Sequence, residues 1–306
     1  MISLSKAPAY ATIQDLGRRG FLASGVPRAG AMDGPALLTL NALLGNDANA
    51  AGIEWALTGG QLDFAEGSGF AIGGAEVKAS LNQTPIEPYR AYRASAGDSL
   101  VLEPPGAGRF VYICFTGGVD SGVVMRSRST DVPGGFGGIE GRRLKTGDTL
   151  EVGKAKGRKR PQVSDSLPDE LRPPFRADVI RYVARGSDDA SGPLAGSFSI
   201  SAASDRTGYR LTGDVTMDGG SITSEPVCAG VIQLPPGGEP IVLMADAPTI
   251  GGYRIVGGVI SADLGALAQR IPGEAITLEP VTIKAAQRES AARSEIIERI
   301  REWALA

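Results

Sequence analysis

Short apolar runs, bounded by Gly, Pro, Asp or Asn, recur along the whole chain and set its predicted architecture. Strands are predicted at QLDF 61–64, GFAIGG 69–74, DSLVLE 98–103 and RFVYICFTGG 109–118 in the first half. In the second half they fall at DVIRYVARG 178–186, SFSISA 197–202, PIVLMAD 240–246 and AITLEPVTI 275–283. Helical periodicity is confined to three places. GPALLTLNALLG, 34–45, puts Leu37, Leu40 and Leu44 on one face, with Asp33 as N-cap and Gly45 past the end. SADLGALAQRI, 261–271, starts on a Ser/Asp cap and stops before Pro272. In the last segment Ile296, Ile300 and Trp303 recur at i, i+4, i+7 among charges, the pattern of an amphipathic helix that docks on a surface.

Many short strands with few helices favour barrels or sandwiches over a doubly wound sheet, so the class is mainly β. The 43 Gly and 20 Pro among 306 residues agree with that reading. Periodicity breaks at 153–175, GKAKGRKRPQVSDSLPDELRPPF, which reads as a solvated linker. The expected organisation is a lobe over 1–152, the linker, a second lobe over 176–283 and a terminal helix over 284–306.

Charge and composition narrow the chemistry. With 31 Lys+Arg against 34 Asp+Glu, nothing recommends nucleic acid or an anionic membrane as a partner. No apolar run has the length of a signal peptide or a membrane span, so the chain is expected to be cytoplasmic. Cys114 and Cys228 both lie in apolar runs, which predicts small buried hydrophobes and no disulfide. There is no histidine, which removes Ser-His-Asp and Cys-His arrangements, HExxH zinc sites and histidine proton shuttles together. Chemistry is left to carboxylates, guanidiniums, Tyr, Ser/Thr and backbone dipoles, and no metal site is expected.

Four segments gather such groups among turn-forming glycines. In Gln14-Asp15-Leu16-Gly17-Arg18, ahead of Asp33, an Asp and an Arg flank a turn; they either grip a carboxylate or amide or pair with each other. Arg128-Ser129-Thr130-Asp131 precedes the Pro133–Gly138 loop, with Arg142 beyond it. That loop either brings backbone N–H groups close to an anion or is a cluster of structural turns, and it lacks a Walker A ending. Asp205-Arg206-Thr207-Gly208-Tyr209-Arg210, if extended, puts Arg206 and Arg210 on one face; a surface ladder of ion pairs is the alternative. Asp246 closes the apolar run before Gly251-Gly252-Tyr253, as a pocket residue or a turn cap.

Taken in order, these four segments resemble the allophanate hydrolase subunit 2 family of biotin-dependent carboxyltransferase-like proteins over nearly the whole chain. The resemblance implies two cyclophilin-like β-barrel lobes and a stable complex with a subunit 1 family protein (the B subunit), joined by an A subunit. It implies a carboxyltransferase-like component of an ATP-dependent 5-oxoprolinase that opens a lactam to glutamate. Alternatives within the family are a regulator that antagonises a kinase inhibitor and a urea carboxylase or allophanate hydrolase-type subunit 2. ATP would be used by the complex, biotin would arrive only on a partner, and this chain alone would bind no cofactor. Asp15, Arg18, Asp205, Arg206 and Asp246 are the catalytic candidates. Gln14, Asp33, Arg128, Ser129, Thr130, Arg142, Tyr209, Arg210, Gly251, Gly252 and Tyr253 are the binding candidates. Arg18, Arg128 and Arg206 are expected to share one cleft, because a histidine-free site for an anionic intermediate needs fixed cations.

Overall fold

The computed structural model describes residues 1–154, 166–173, 176–186, 189–215 and 217–305. The chain forms two compact units. The first takes 1–18, 33–175 and 295–306, and the second takes 19–32 and 176–294. Residues 19–32 group with the second unit, and α3 (Ile283–Leu305) divides at 294/295. Neither assignment is visible in local periodicity.

In the first unit the elements are β1 (Ile2–Lys6), β2 (Tyr10–Gln14), α1 (Gly34–Leu43), β3 (Gly52–Ala56), β4 (Gly60–Phe64) and β5 (Ser68–Glu76). They continue with β6 (Ala79–Leu81), β7 (Thr84–Ile86), β8 (Tyr92–Ala94), β9 (Ser99–Leu102), β10 (Ala107–Phe115) and β11 (Thr149–Leu150). Two antiparallel sheets result, in the orders β11-β1-β4-β9-β6-β7 and β2-β3-β10-β5-β8. Period-2 alternation aims Ile2, Leu4, Leu62, Phe64 and Leu100 of one sheet, and Ile13, Trp55, Phe70, Val111 and Ile113 of the other, into a shared core. The opposite face of the five-stranded sheet carries α1: a Cβ on Gly52 or Gly73 would press on Leu37 or Leu40. α1 starts as its sequence predicts, with the Asp33 carboxylate accepting from Ala36 N at 3.1 Å and Gly45 left-handed (φ 64°) beyond it.

The second unit contains β12 (Val179–Ala184), β13 (Gly196–Ile200), β14 (Gly208–Gly213), β15 (Ser221–Pro226), β16 (Val231–Leu234) and β17 (Ile241–Leu243). β18 (Ile250–Val259), α2 (Leu264–Ala268) and β19 (Ala275–Pro280) follow. Strands run β12-β19-β13-β14-β17-β16-β18, and β18 pairs back to β12, closing a seven-strand barrel with β15 outside it. All eight strands read from the sequence are present. Among those it missed, β3 and β16 are short, and β3 is buried along its whole length, which erases the alternation that marks a strand; β18 is ten residues long but carries four glycines that read as turns.

Three expectations change in the structure. Asp263 does not cap α2; its carboxylate takes Arg181 in a fork (Nε 2.9 Å, Nη2 2.7 Å), because a charge-assisted bidentate pair outcompetes a cap for the same two oxygens. The linker expected at 153–175 lies partly outside the described residues. Its described part, 166–173, is not solvated throughout: Leu167 and Leu171 are buried, and Leu167 N donates to Tyr89 O at 2.9 Å. Cys228 is exposed, so an apolar run does not bury it, whereas Cys114 is buried and its thiol pKa is pushed up by burial. α3 matches expectation, with Ile300 buried and Ile296 and Trp303 half-buried.

Candidate functional site

The sequence-predicted groups form two constellations, one in each unit, and each is described by itself. In the first unit, β2 ends at Gln14 and the chain turns at Gly17, whose φ of 83° demands glycine. Asp15, 1 % exposed, sits at the centre of that turn. Its Oδ1 accepts from Gly17 N (2.8 Å), Ser127 Oγ (2.7 Å) and Ser129 Oγ (2.6 Å), and its Oδ2 from Arg128 N (2.7 Å). Ser129 Oγ in turn accepts from Asp15 N at 2.9 Å. Asp15 does not pair with Arg18, one of the two alternatives read from the sequence; its carboxylate ties the 15–18 turn to the 127–129 loop.

Arg18, also 1 % exposed, donates through Nη2 to Ser129 O and lies 4.5 Å above the Phe136 ring. The glycines of the 133–138 loop explain its seat. A Cβ on Gly137 would stand 2.0 Å from Ser129 O and 2.4 Å from Arg18 Nη2, and one on Gly138 would stand 2.0 Å from Thr130 Oγ1. The loop's N–H groups are largely engaged inside it: Gly134 N on Asp131 Oδ1, Gly135 N and Phe136 N on Asp131 O, and Gly138 N on Arg128 O. It is a cluster of structural turns, not an anion cradle. Gln14 Nε2 donates to Thr12 Oγ1 and to Thr130 O, and Thr130 N returns to Ile13 O. Two other candidate cations are committed to carboxylates. Arg128 pairs with Asp120 (2.7 Å) and donates to Ser121 O. Arg142 forks Asp148 (2.7 and 3.0 Å) and meets Glu140 (3.0 Å); the Arg142 hydrogen bonds hold the Asp148 carboxyl below its ordinary range.

A buried polar chain beside α1 escaped the sequence reading. Glu54 and Tyr112 are fully buried, Tyr112 OH donates to Glu54 Oε2 at 2.7 Å, and the same hydroxyl accepts from Asp33 N at 2.7 Å. Burial first, and the Glu54 and Asp33 carboxylates after it, push the Tyr112 phenol well above its ordinary pKa, so it stays a neutral donor. The available signal was Glu54 itself, a charge in the apolar run GIEWAL. Removing the hydroxyl in Tyr112→Phe takes a partner from both Glu54 and Asp33 N. It should lower stability by about 2 kcal/mol, measured by urea unfolding.

In the second unit, Arg206 and Asp246 form a buried fork, Nε to Oδ2 and Nη2 to Oδ1 both at 2.7 Å, with side chains 8 % and 5 % exposed. Arg206 Nη2 also donates to Gly30 O at 2.8 Å, and Asp246 N to Arg206 O at 2.9 Å. The other members of the 205–210 motif do different work. Asp205 Oδ1 accepts from Thr207 N and Gly208 N as a turn. Tyr209 is fully buried with its hydroxyl on Ala268 O at 2.7 Å, which removes it from the binding candidates. Arg210 is exposed where Arg206 is buried, so the two do not share a face: Arg206 precedes β14 and Arg210 lies within it. Gly208 is small because a Cβ would touch Ile241 Cγ2 at 2.9 Å.

Gly251 and Gly252 open β18, and Tyr253 after them is 42 % exposed. A Cβ on Gly251 would meet Gln233 Nε2 at 2.3 Å and Val227 Cγ1 at 3.3 Å, so this glycine makes room for a buried amide that the sequence reading missed. On the same barrel face Val227, Ile241, Leu243 and Ala247 form a small apolar cluster, with Ile255 packed against it. An open groove of about 520 Å³ lies further along β18, between Arg185, Ile222, Arg254 and Val256. Arg185 forks Glu225 there (2.6 and 3.1 Å), and Arg254 donates to Asp218 O at 3.1 Å.

Known proteins resemble this chain in sequence and in fold. The family described as "Carboxyltransferase domain, subdomain A and B" matches residues 24–280. The chain is 38 % identical over 290 residues to the 5-oxoprolinase C subunit of Escherichia coli (strain K12), covering 90 % of each. It is 36 % identical over 300 residues to the 5-oxoprolinase C subunit of Haemophilus influenzae, covering 94 % of each. In structure it resembles the Kluyveromyces lactis urea amidolyase with a TM-score of 0.88 and 25 % identity, over 98 % of this chain and 20 % of that one. A closed β-barrel unit, the four motif segments in order and a family match spanning both units lead to one placement: the chain belongs to the carboxyltransferase domain family, subdomains A and B.

Proposed function

We propose that this chain is the C subunit of an ATP-dependent 5-oxoprolinase, working with B-subunit and A-subunit partners in the cytoplasm to open the lactam of 5-oxoproline to glutamate. The observation that carries the reading is identity of 36–38 % to two 5-oxoprolinase C subunits, over at least 90 % of both chains. The urea amidolyase match of 29 % over 331 residues covers only 18 % of that protein, so a urea-type role ranks second. Among the described residues, no helix is long and apolar enough to cross a membrane.

Roles follow the chemistry of the side chains. ATP use belongs to a partner, because the glycine-rich turn at 133–138 lacks Walker A spacing and directs its N–H groups to Asp131 and Arg128. Biotin enters only if a partner carries it. Arg206 with Asp246 is a buried, doubly hydrogen-bonded polar element, the kind of fixed dipole that holds a polar substrate or a developing anion with little reorganisation. Asp15, Asp205 and Arg142 keep their turns in shape and act on substrate only through them.

Reconstitution tests the reading. This chain, mixed with the A and B subunits, should form one complex that survives moderate salt, and 5-oxoproline with ATP should yield glutamate. Omitting the chain should abolish glutamate formation. Equal turnover without it would overturn the proposal.

A further inference from the structure

The Gln233 side chain is anomalous in its surroundings. β16 shifts register against β18 between Ile232 and Gln233, so that Ile232, Gln233 and Leu234 are buried in succession. Gln233 then lies opposite Ile241 of β17 and Ile255 of β18, on the face that bears the apolar cluster of Val227, Ile241, Leu243 and Ala247. It is 4 % exposed, and its Nε2 has no hydrogen-bond partner. Burying a carboxamide among aliphatic groups without a partner costs stability, and a leucine of the same size would avoid that cost. Yet the fold accommodates the amide specifically: Gly251 of β18 is the residue whose Cβ would collide with Gln233 Nε2, at 2.3 Å. Asp246, next in sequence to Ala247 of the cluster, belongs to the Arg206–Asp246 fork of the same unit.

We infer that the Gln233 carboxamide is the recognition group for a small cis-amide, a lactam or ureido group, held against the apolar cluster of the second unit. A primary carboxamide presents one N–H donor and one carbonyl acceptor side by side. The group that satisfies both at once is an amide whose own N–H and C=O lie on the same side, as in a five-membered lactam or a urea. A trans secondary amide, like a peptide bond, has them on opposite sides and can satisfy only one. The match holds whichever way the Gln233 amide is turned. The flanking aliphatic side chains fit the methylene edge of a lactam ring, and their low polarity strengthens the paired hydrogen bonds.

The inference rests on the lactam reading above for its preferred substrate, and the experiment separates the two. Ligand-observed NMR on the full chain, with the A and B subunits present, would use 2-pyrrolidinone, urea and N-methylacetamide as probes. The first two should bind and the trans amide should not; equal binding of all three, or of none, overturns the inference. Gln233→Leu should weaken 2-pyrrolidinone binding about tenfold or more while the thermal midpoint stays level or rises, a combination that a merely structural glutamine would not produce. Gly251→Ala, which displaces the amide without removing it, should weaken binding in the same direction. Binding unchanged in Gln233→Leu overturns the inference. If 5-oxoproline is converted with unaltered KM by Gln233→Leu, the inference falls and the 5-oxoprolinase reading stands. If the wild-type complex fails to convert 5-oxoproline but the cis-amides bind through Gln233, the inference stands and that reading falls.

Discussion

Asp246→Ala is expected to destabilise the second unit by about 3–5 kcal/mol, the cost of stranding a buried guanidinium whose partner has been removed. Arg206 is buried and gives both Nε and Nη2 to Asp246, with the Gly30 carbonyl as a further acceptor. The measurement is denaturant unfolding of the full chain. Replacing both residues by aliphatic side chains of similar volume should recover most of the loss, because the desolvation of both charges is then removed together. Near-additive losses in the double variant would show that the pair is not coupled. Arg206→Lys separates a buried fork from the surface ladder that the sequence leaves open. An ammonium has no planar fork to meet two carboxylate oxygens, and at this depth the missing hydrogen bond is not replaced by water, so stability should fall as well as ligand binding.

Asp15→Ala is the second large effect. Four donors converge on this carboxylate, from Gly17 N, Arg128 N and the hydroxyls of Ser127 and Ser129, and all lie in buried or half-buried surroundings. Hydrogen bonds to a charged acceptor contribute about 1.5–3 kcal/mol each; since they share one acceptor they do not add fully, and a total loss of about 4 kcal/mol is expected. Asp15→Asn can keep its oxygen where Oδ1 meets three donors but loses the charge and sets an N–H₂ against Arg128 N, so it should recover only part of the loss. Urea unfolding provides the number. Hydrogen exchange should locate the damage at 15–18 and 127–131, the segments the carboxylate ties together. A loss below about 1 kcal/mol, the usual scale of an exposed pair, would mean that the network is solvated.

How far the residues themselves reveal this protein depends on the range of the forces involved. The eight predicted strands and α1 are legible because their signals are local: apolar runs of strand length between turn formers, and an N-cap, a helical stripe and a glycine stop in the right order. The absence of histidine likewise bounds the chemistry from composition alone. The motifs Asp15–Arg18 and Asp205–Arg210 stand out in the sequence as dense in polar and charged groups, but the role of each group is not readable there. Asp15 and Arg18 are close in sequence and suggest a pair, whereas each finds partners more than a hundred residues away, in the 127–129 loop. Arg206 and Arg210 suggest a shared strand face; the structure sends one inward to Asp246 and leaves the other in solvent.

Local pattern and composition establish that the chain is mainly β, place eight of its strands, mark Asp33 as the cap of α1 and exclude histidine chemistry. These follow from backbone preference and side-chain type, which act over a few residues. Long-range pairing groups 19–32 with the second unit and closes seven strands through the β12–β18 ladder. It alone decided that Tyr209 is a buried strut, and that Glu54, Tyr112 and Gln233 are buried polar groups in otherwise apolar strands. The physical reason is that burial and hydrogen-bond pairing are properties of the closed sheets. A charge or an amide in an apolar run reads locally as a break in a pattern, and its meaning depends on which group the barrel brings opposite it.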